Sequence, residues 1–216
     1  MKHALPSDPT LDEIRLALAP LLGEHAAFDG WTPRAVLAAA ADLDVDGDIA
    51  LLAMKAGGAM GLIDAWIDSI DAEMGRRLPE LAAMKIRARI TAMISMRLEI
   101  MAPNKEALRR AAAVMARPVH LAKSARIGWR GADRMWRLAG DDASDFNHYT
   151  KRMTLSAVYA STVAVFLNDD SENFAETRGF LDRRIENVMQ FEKVKARRAH
   201  LPSLARFVGR LRYPAD

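Results

Sequence analysis

The side chains able to do chemistry in this 216-residue chain are few and scattered. Its five histidines, His3, His25, His120, His148 and His200, form no HExxH pair and no carboxylate–His spacing that would set metal ligands on one helix face. Asp42, Asp44, Asp46 and Asp48 alternate as calcium ligands do. However, Gly47 comes one place early and the closing glutamate is missing, so an ordinary acidic turn is expected. Gly57-Gly58-Ala59-Met60-Gly61 lacks the Lys-Ser/Thr of a phosphate-binding loop, and no GxSxG elbow occurs. Cysteine is absent, which excludes disulfides, thiolate zinc sites and cysteine nucleophiles and fits a reducing compartment. The expectation is a protein that is not an enzyme and uses no metal and no cofactor.

What the chain has instead is apolar helix. Thr10-Leu11-Asp12-Glu13 is a capping box, and Leu11, Ile14, Leu18, Leu21 and Leu22 behind it predict one amphipathic helix. Thr32-Pro33 starts a second helix running to Leu43, followed by a short apolar segment over 49–54, a glycine break and a helix from Leu62 to about Met74. A long run from Pro79 to Met101 follows, with Arg87, Arg89 and Arg97 mostly off its apolar face; then come helices over 105–116 and 119–138, the latter bent or divided by Gly128 and Gly131. Gly140 stops that helix, an acidic turn follows, and the next run, Met153 to Asn168, carries no charged residue and is expected to be buried. A last body helix carries Phe174, Phe180, Ile185 and Met189. No alternating β-branched run competes. The fold class is therefore all-α, with about nine helices, and the chain divides into a head (1–75), a body (76–192) and a basic tail (193–216).

Charge is strongly partitioned behind a net of +3. Residues 1–75 hold 4 Lys/Arg against 13 Asp/Glu, while residues 76–137 hold 15 against 4. The three short head helices have the layout of a helix-turn-helix, and the whole outline matches TetR-type regulators. Between Phe28 and Ile70, however, only Arg34 and Lys55 face seven aspartates, so this surface should repel a polyanion rather than read it. No nucleic-acid partner is expected; a ligand-sensing TetR-type regulator is the alternative reading.

Two binding features remain. Twelve methionines is a heavy load, and Met either fills core gaps or lines adaptable pockets. Together, Met93, Met96, Met115, Met135, Trp136, Met153, Val158, Phe166, Phe180 and Met189 are candidates to line an apolar pocket between helices. In the tail, Leu201, Leu204, Phe207, Val208 and Leu211 share one face, with Arg206 and Arg210 opposite. Such a face suits either a membrane interface or packing on the protein body. The N-terminus has no apolar h-region, and no run reaches the length of a membrane span, so a cytoplasmic, peripherally membrane-associated protein is expected.

The segment Trp136-Arg137-Leu138-Ala139-Gly140-Asp141, followed by Asp145-Phe146-Asn147-His148-Tyr149-Thr150-Lys151-Arg152, resembles the signature of the Coq-nine family, accessory lipid-binding proteins of ubiquinone biosynthesis. The likeness continues through Tyr159, Leu167, Asp169-Asp170-Ser171, Phe174 and Thr177 to Phe180-Leu181-Asp182-Arg183-Arg184-Ile185-Glu186, and takes in Gly30-Trp31-Thr32. The resemblance implies a TetR-like fold without DNA reading, an isoprenoid lipid or quinone intermediate as ligand, and a homodimer paired through its last two long helices. It further implies an amphipathic membrane-binding tail and a di-iron hydroxylase as partner, contacted through Asp145, Phe146, Asn147, His148 and Tyr149. Family members often carry Trp where this chain has His148, which removes a large apolar ring from that contact. Phe146 and Tyr149 could equally cap the core.

Overall fold

The computed structural model describes residues 5–55, 57–78, 81–141 and 146–199, and for 146–147, 189 and 191–199 only the backbone. Among the described residues every long element is a helix: α1 (Leu11–Leu18), α2 (Leu22–Asp29), α3 (Pro33–Ala41), α4 (Gly47–Met54), α5 (Gly58–Arg77), α6 (Ile86–Met101), α7 (Lys105–Met115), α8 (Leu121–Leu138), α9 (Phe146–Phe166) and α10 (Ala175–Ala199). The all-α reading holds.

Local chemistry explains most of the boundaries. Thr10 Oγ1 accepts from the Glu13 amide at 3.3 Å while the Glu13 carboxylate accepts from the Thr10 amide at 2.8 Å, the reciprocal capping box. The single first helix expected from the leucine spacing is two, because Pro20 offers no amide and crowds the preceding turn. Asp46 caps α4, accepting from the amides of Asp48 and Ile49, so the acidic turn opens a complete helix over what was expected as a short apolar segment. The long run expected from Pro79 is also broken. A 3₁₀ turn at Leu81–Ala83 precedes α6, and Arg89 donates to the carbonyls of Ala82, Met84 and Ala139, each at 2.7 Å, satisfying acceptors at the break and at the end of α8. By contrast, α8 runs unbroken through Gly128 and Gly131.

The head (α1–α4) packs on the start of α5, with α2 also lying against α7; α6 lies on α5 and α10, and α9 is held between α8 and α10. One continuous core runs from Ile14 to Ile185, so α5, which contains the expected boundary after residue 75, belongs to head and body alike. Trp31 fixes one joint: its indole N–H donates to the Ala107 carbonyl at 3.1 Å, and its ring tilts against Trp66 at 5.2 Å.

Two expectations about burial fail. Arg97 is not off the apolar face of α6: its side chain is 3% exposed and pairs with the equally buried Asp71 of α5. Nor is α9 buried all round. Met153, Ala157, Ala160 and Ala164 form an exposed, charge-free stripe at helical spacing, with Met153 65% exposed. Absence of charge therefore does not by itself place a helix face in the chain's own core.

Candidate functional site

The family-like segment folds as the corner between α8 and α9. Arg152, 2% exposed, is its centre: Nε donates to Asp133 Oδ1 at 2.6 Å, and Nη1 donates to Asp141 Oδ2 and to the His148 carbonyl, each at 3.2 Å. Asp133 also accepts from Arg137 at 2.7 Å, and Asp141 pairs with Lys151. Burial alone would raise both aspartate pKa values. The hydrogen bonds from Arg152, with Arg137 on Asp133 and Lys151 on Asp141, outweigh it and leave both carboxyls below their ordinary range. The Lys151 ammonium also lies 5.3 Å from the Trp136 ring centre, whose indole N–H donates to the Lys151 carbonyl at 3.1 Å. The charged residues of the signature thus hold one helix start against one helix end.

The clamp presents an aromatic patch. His148 and Tyr149 sit 5.2 Å apart edge to face, and Trp129 of α8 lies 6.2 Å and 5.8 Å from them. Tyr149 is 58% exposed and Met153, one turn on, is 65% exposed. Of the expected contact residues, His148 and Tyr149 share this patch; Asp145 and the side chains of Phe146 and Asn147 lie outside the described residues. Trp129 was not anticipated, although its spacing to Trp136 on one helix gave a signal. The patch offers two aromatic rings and one imidazole as contact surface; among the described residues no group of three or more side chains that could hold a metal ion is found.

Beyond α9, Asp169 forms a second knot. It accepts from the Ser171 amide and hydroxyl at 2.9 and 2.5 Å and from the Thr177 amide and hydroxyl at 2.8 and 2.5 Å. Burial opposes its charge, but these four donors hold the carboxyl well below the usual range. Lys105 donates to its carbonyl at 2.6 Å and sits over the rings of Phe166 and Phe174, tying α7 to the α9–α10 turn.

The residues expected to line a lipid pocket are divided. Met93, Met135 and Phe166 are at most 1% exposed and Val158 is 8% exposed, all within the core. Met96, Met115 and Trp136 pack against that core from its edge, Phe180 is half-buried under Arg184, and Met153 faces out. The Met189 side chain and the tail positions Leu201, Leu204, Phe207, Val208 and Leu211 lie outside what is described. None of the ten lines the cavity of about 480 Å³ in the head, nor a cleft of about 200 Å³ between α6 and the start of α10.

The COQ9 family model matches residues 121–192, the span from the start of α8 through the clamp and the Asp169 knot into α10. The chain is similar to the mitochondrial ubiquinone biosynthesis protein COQ9 of Rattus norvegicus, 35% identical over 96 residues that cover 44% of this chain and 31% of that one. The Homo sapiens protein of the same name is 28% identical over 175 residues, covering 77% and 54%. The chain thus spans about a third to a half of the length of these relatives. The fold is similar to a TetR transcriptional regulator from Nitrosomonas europaea, with a TM-score of 0.63 and 25% identity over 81% of this chain and 97% of that one. The TetR-like fold expected from the resemblance is the fold observed.

Proposed function

We propose, from the match of residues 121–192 to the COQ9 family model, a lipid-binding accessory protein of ubiquinone biosynthesis that is not itself an enzyme. In this reading it takes up an isoprenoid quinone intermediate and presents it to a di-iron hydroxylase at the membrane surface. One observation carries it: the matched segment holds a charged clamp centred on Arg152, beside which the Trp129–His148–Tyr149 patch, continued by Met153, meets the surface. Four buried or half-buried ionic groups held in place to display aromatic rings is the organisation of a docking surface. In this reading the lipid meets the body at the edge residues Met96, Met115, Trp136, Met153 and Phe180. Dimer pairing through α9 and α10 and membrane contact by the 201–211 segment complete the reading. No described helix is long and apolar enough to cross a membrane alone.

The partner contact is tested by measuring affinity for the hydroxylase. Tyr149→Ala should weaken it about tenfold, as expected for an aromatic anchor, and His148→Trp should strengthen it. Unchanged affinity in both removes the patch from the proposal.

A second reading, a TetR-type regulator, is favoured by the likeness to the Nitrosomonas europaea protein over nearly its full length. The acidic head opposes it: α3 and α4 carry Arg34 as their only basic side chain. Tight, sequence-specific DNA binding at physiological salt would establish it.

A further inference from the structure

Residues 117–137 hold six Lys/Arg and one Asp. Much of that charge lies along one face of α8: Arg126, Arg130 and Arg134 follow one another four residues apart, with Arg137 three further on, and all four are exposed. The opposite face, with Ile127, Gly131 and Met135, is buried in the body. The carboxylates beside the stripe are already engaged: Asp64 and Asp68 of α5 by Arg130, and Asp133 by Arg137 and Arg152. Among the described residues no carboxylate pairs with Arg117, Arg126 or Arg134, so their charge is uncompensated. At the start of the helix the surface turns apolar. In the corner between α7 and α8, Val119 is 81% exposed and Leu121 55% exposed, beside the exposed Arg117, Ala122 and Ala125. The corner is tied down, since Ser124 Oγ of α8 donates to the Met115 carbonyl of α7 at 2.8 Å, and the two aliphatic side chains stand out from a fixed turn.

We propose that this corner and the α8 stripe seat the body on an anionic phospholipid surface. Val119 and Leu121 enter at the boundary of headgroups and acyl chains, and Arg126 and Arg134 meet lipid phosphates. Charge complementarity selects a polyanion, and the exposed aliphatic pair selects a bilayer: nucleic acid would neutralise the arginines but leave Val119 and Leu121 in water. All of these residues belong to the basic body, outside the acidic head α1–α4. The contact is separate from the 201–211 segment to which the proposed function gives membrane binding, and either can fail without the other.

The chain has no cysteine, so Val119→Cys in the full chain gives a single site for an environment-sensitive fluorophore. Vesicles of phosphatidylcholine with phosphatidylglycerol should shift its emission to the blue, and nitroxide lipids labelled near the headgroup should quench it. Pure phosphatidylcholine vesicles should do neither, and added salt should reverse the shift. Arg126→Glu with Arg134→Glu, both exposed, should weaken partition into the anionic vesicles at least about tenfold at unchanged helix content. A label that stays in water while the protein floats with the vesicles assigns the membrane to the tail alone and overturns the inference without touching the proposed function. Wild-type partition of the double variant overturns it too, as does a duplex oligonucleotide that shifts the label where anionic vesicles do not.

Discussion

Arg97 of α6 and Asp71 of α5 form an ion pair inside the helical body, with 3% and 2% of their side chains exposed and the guanidinium 4.8 Å from the centre of the Tyr159 ring of α9. Gly131 of α8 lies over it, where a Cβ would sit in ordinary contact, 3.7 Å from the guanidinium. Four helices thus converge on one buried charge pair, the place where α5, which also supports the head, is fixed to the body.

Breaking that pair from one side leaves a charge in the core without its partner, so Asp71→Asn should cost about 3–5 kcal/mol of stability. Replacing both, as Asp71→Leu with Arg97→Met, should cost much less, because no charge is then stranded. Urea denaturation of the two variants checks this. Equal losses in both would mean that the pair's shape, not its charge, matters.

Acid should loosen the α8–α9 corner and the α9–α10 turn together. The carboxyls of Asp133, Asp141 and Asp169 are held below their ordinary range in the folded protein. For a depressed carboxyl the stabilisation is complete above the unfolded pKa of about 4 and is lost as pH falls through the folded value. Thermal melting should therefore be flat on this account from pH 7 to about 5 and decline below about 4. Asp169→Asn, which keeps the shape but loses the charge that accepts four hydrogen bonds, should lower the melting temperature at pH 7 and flatten the decline in acid. A variant with the wild-type acid profile would assign the acid sensitivity elsewhere.

The exposed stripe Met153, Ala157, Ala160 and Ala164 on α9 is expected to face a second copy. Ala160→Arg places a charge on that face without touching this chain's own core. Light scattering should then report monomer in place of dimer, with helix content unchanged. A dimer that survives this substitution pairs through another surface.

What could be read in the residues was whatever depends on near neighbours. The Thr10–Glu13 box, the Thr32-Pro33 start and the Gly140 stop each need only a few positions, and all three stand where the spacing put them. The signature at 136–152 was legible as a unit, but not its division of labour: which residues clamp and which display follows from how α9 turns back on α8. Arg97 misled because arginine is usually a surface residue and its partner lies 26 positions earlier on another helix, visible only once α5 and α6 pack. The charge-free α9 misled in the opposite way, since exposed alanines carry no charge either and a composition without charge does not say which face is covered. The head cavity left no trace in the order of residues, because a void is a property of packing and not of any segment.

The most direct test of the account is to extract the purified full chain with organic solvent and identify what comes out by mass spectrometry. The account predicts an isoprenoid quinone or its precursor in amounts comparable to the protein, and its loss on carrying the protein through a delipidating wash, with rebinding when a short-tailed ubiquinone is added. Protein that leaves expression free of such lipid and takes up none from solution or from vesicles contradicts it.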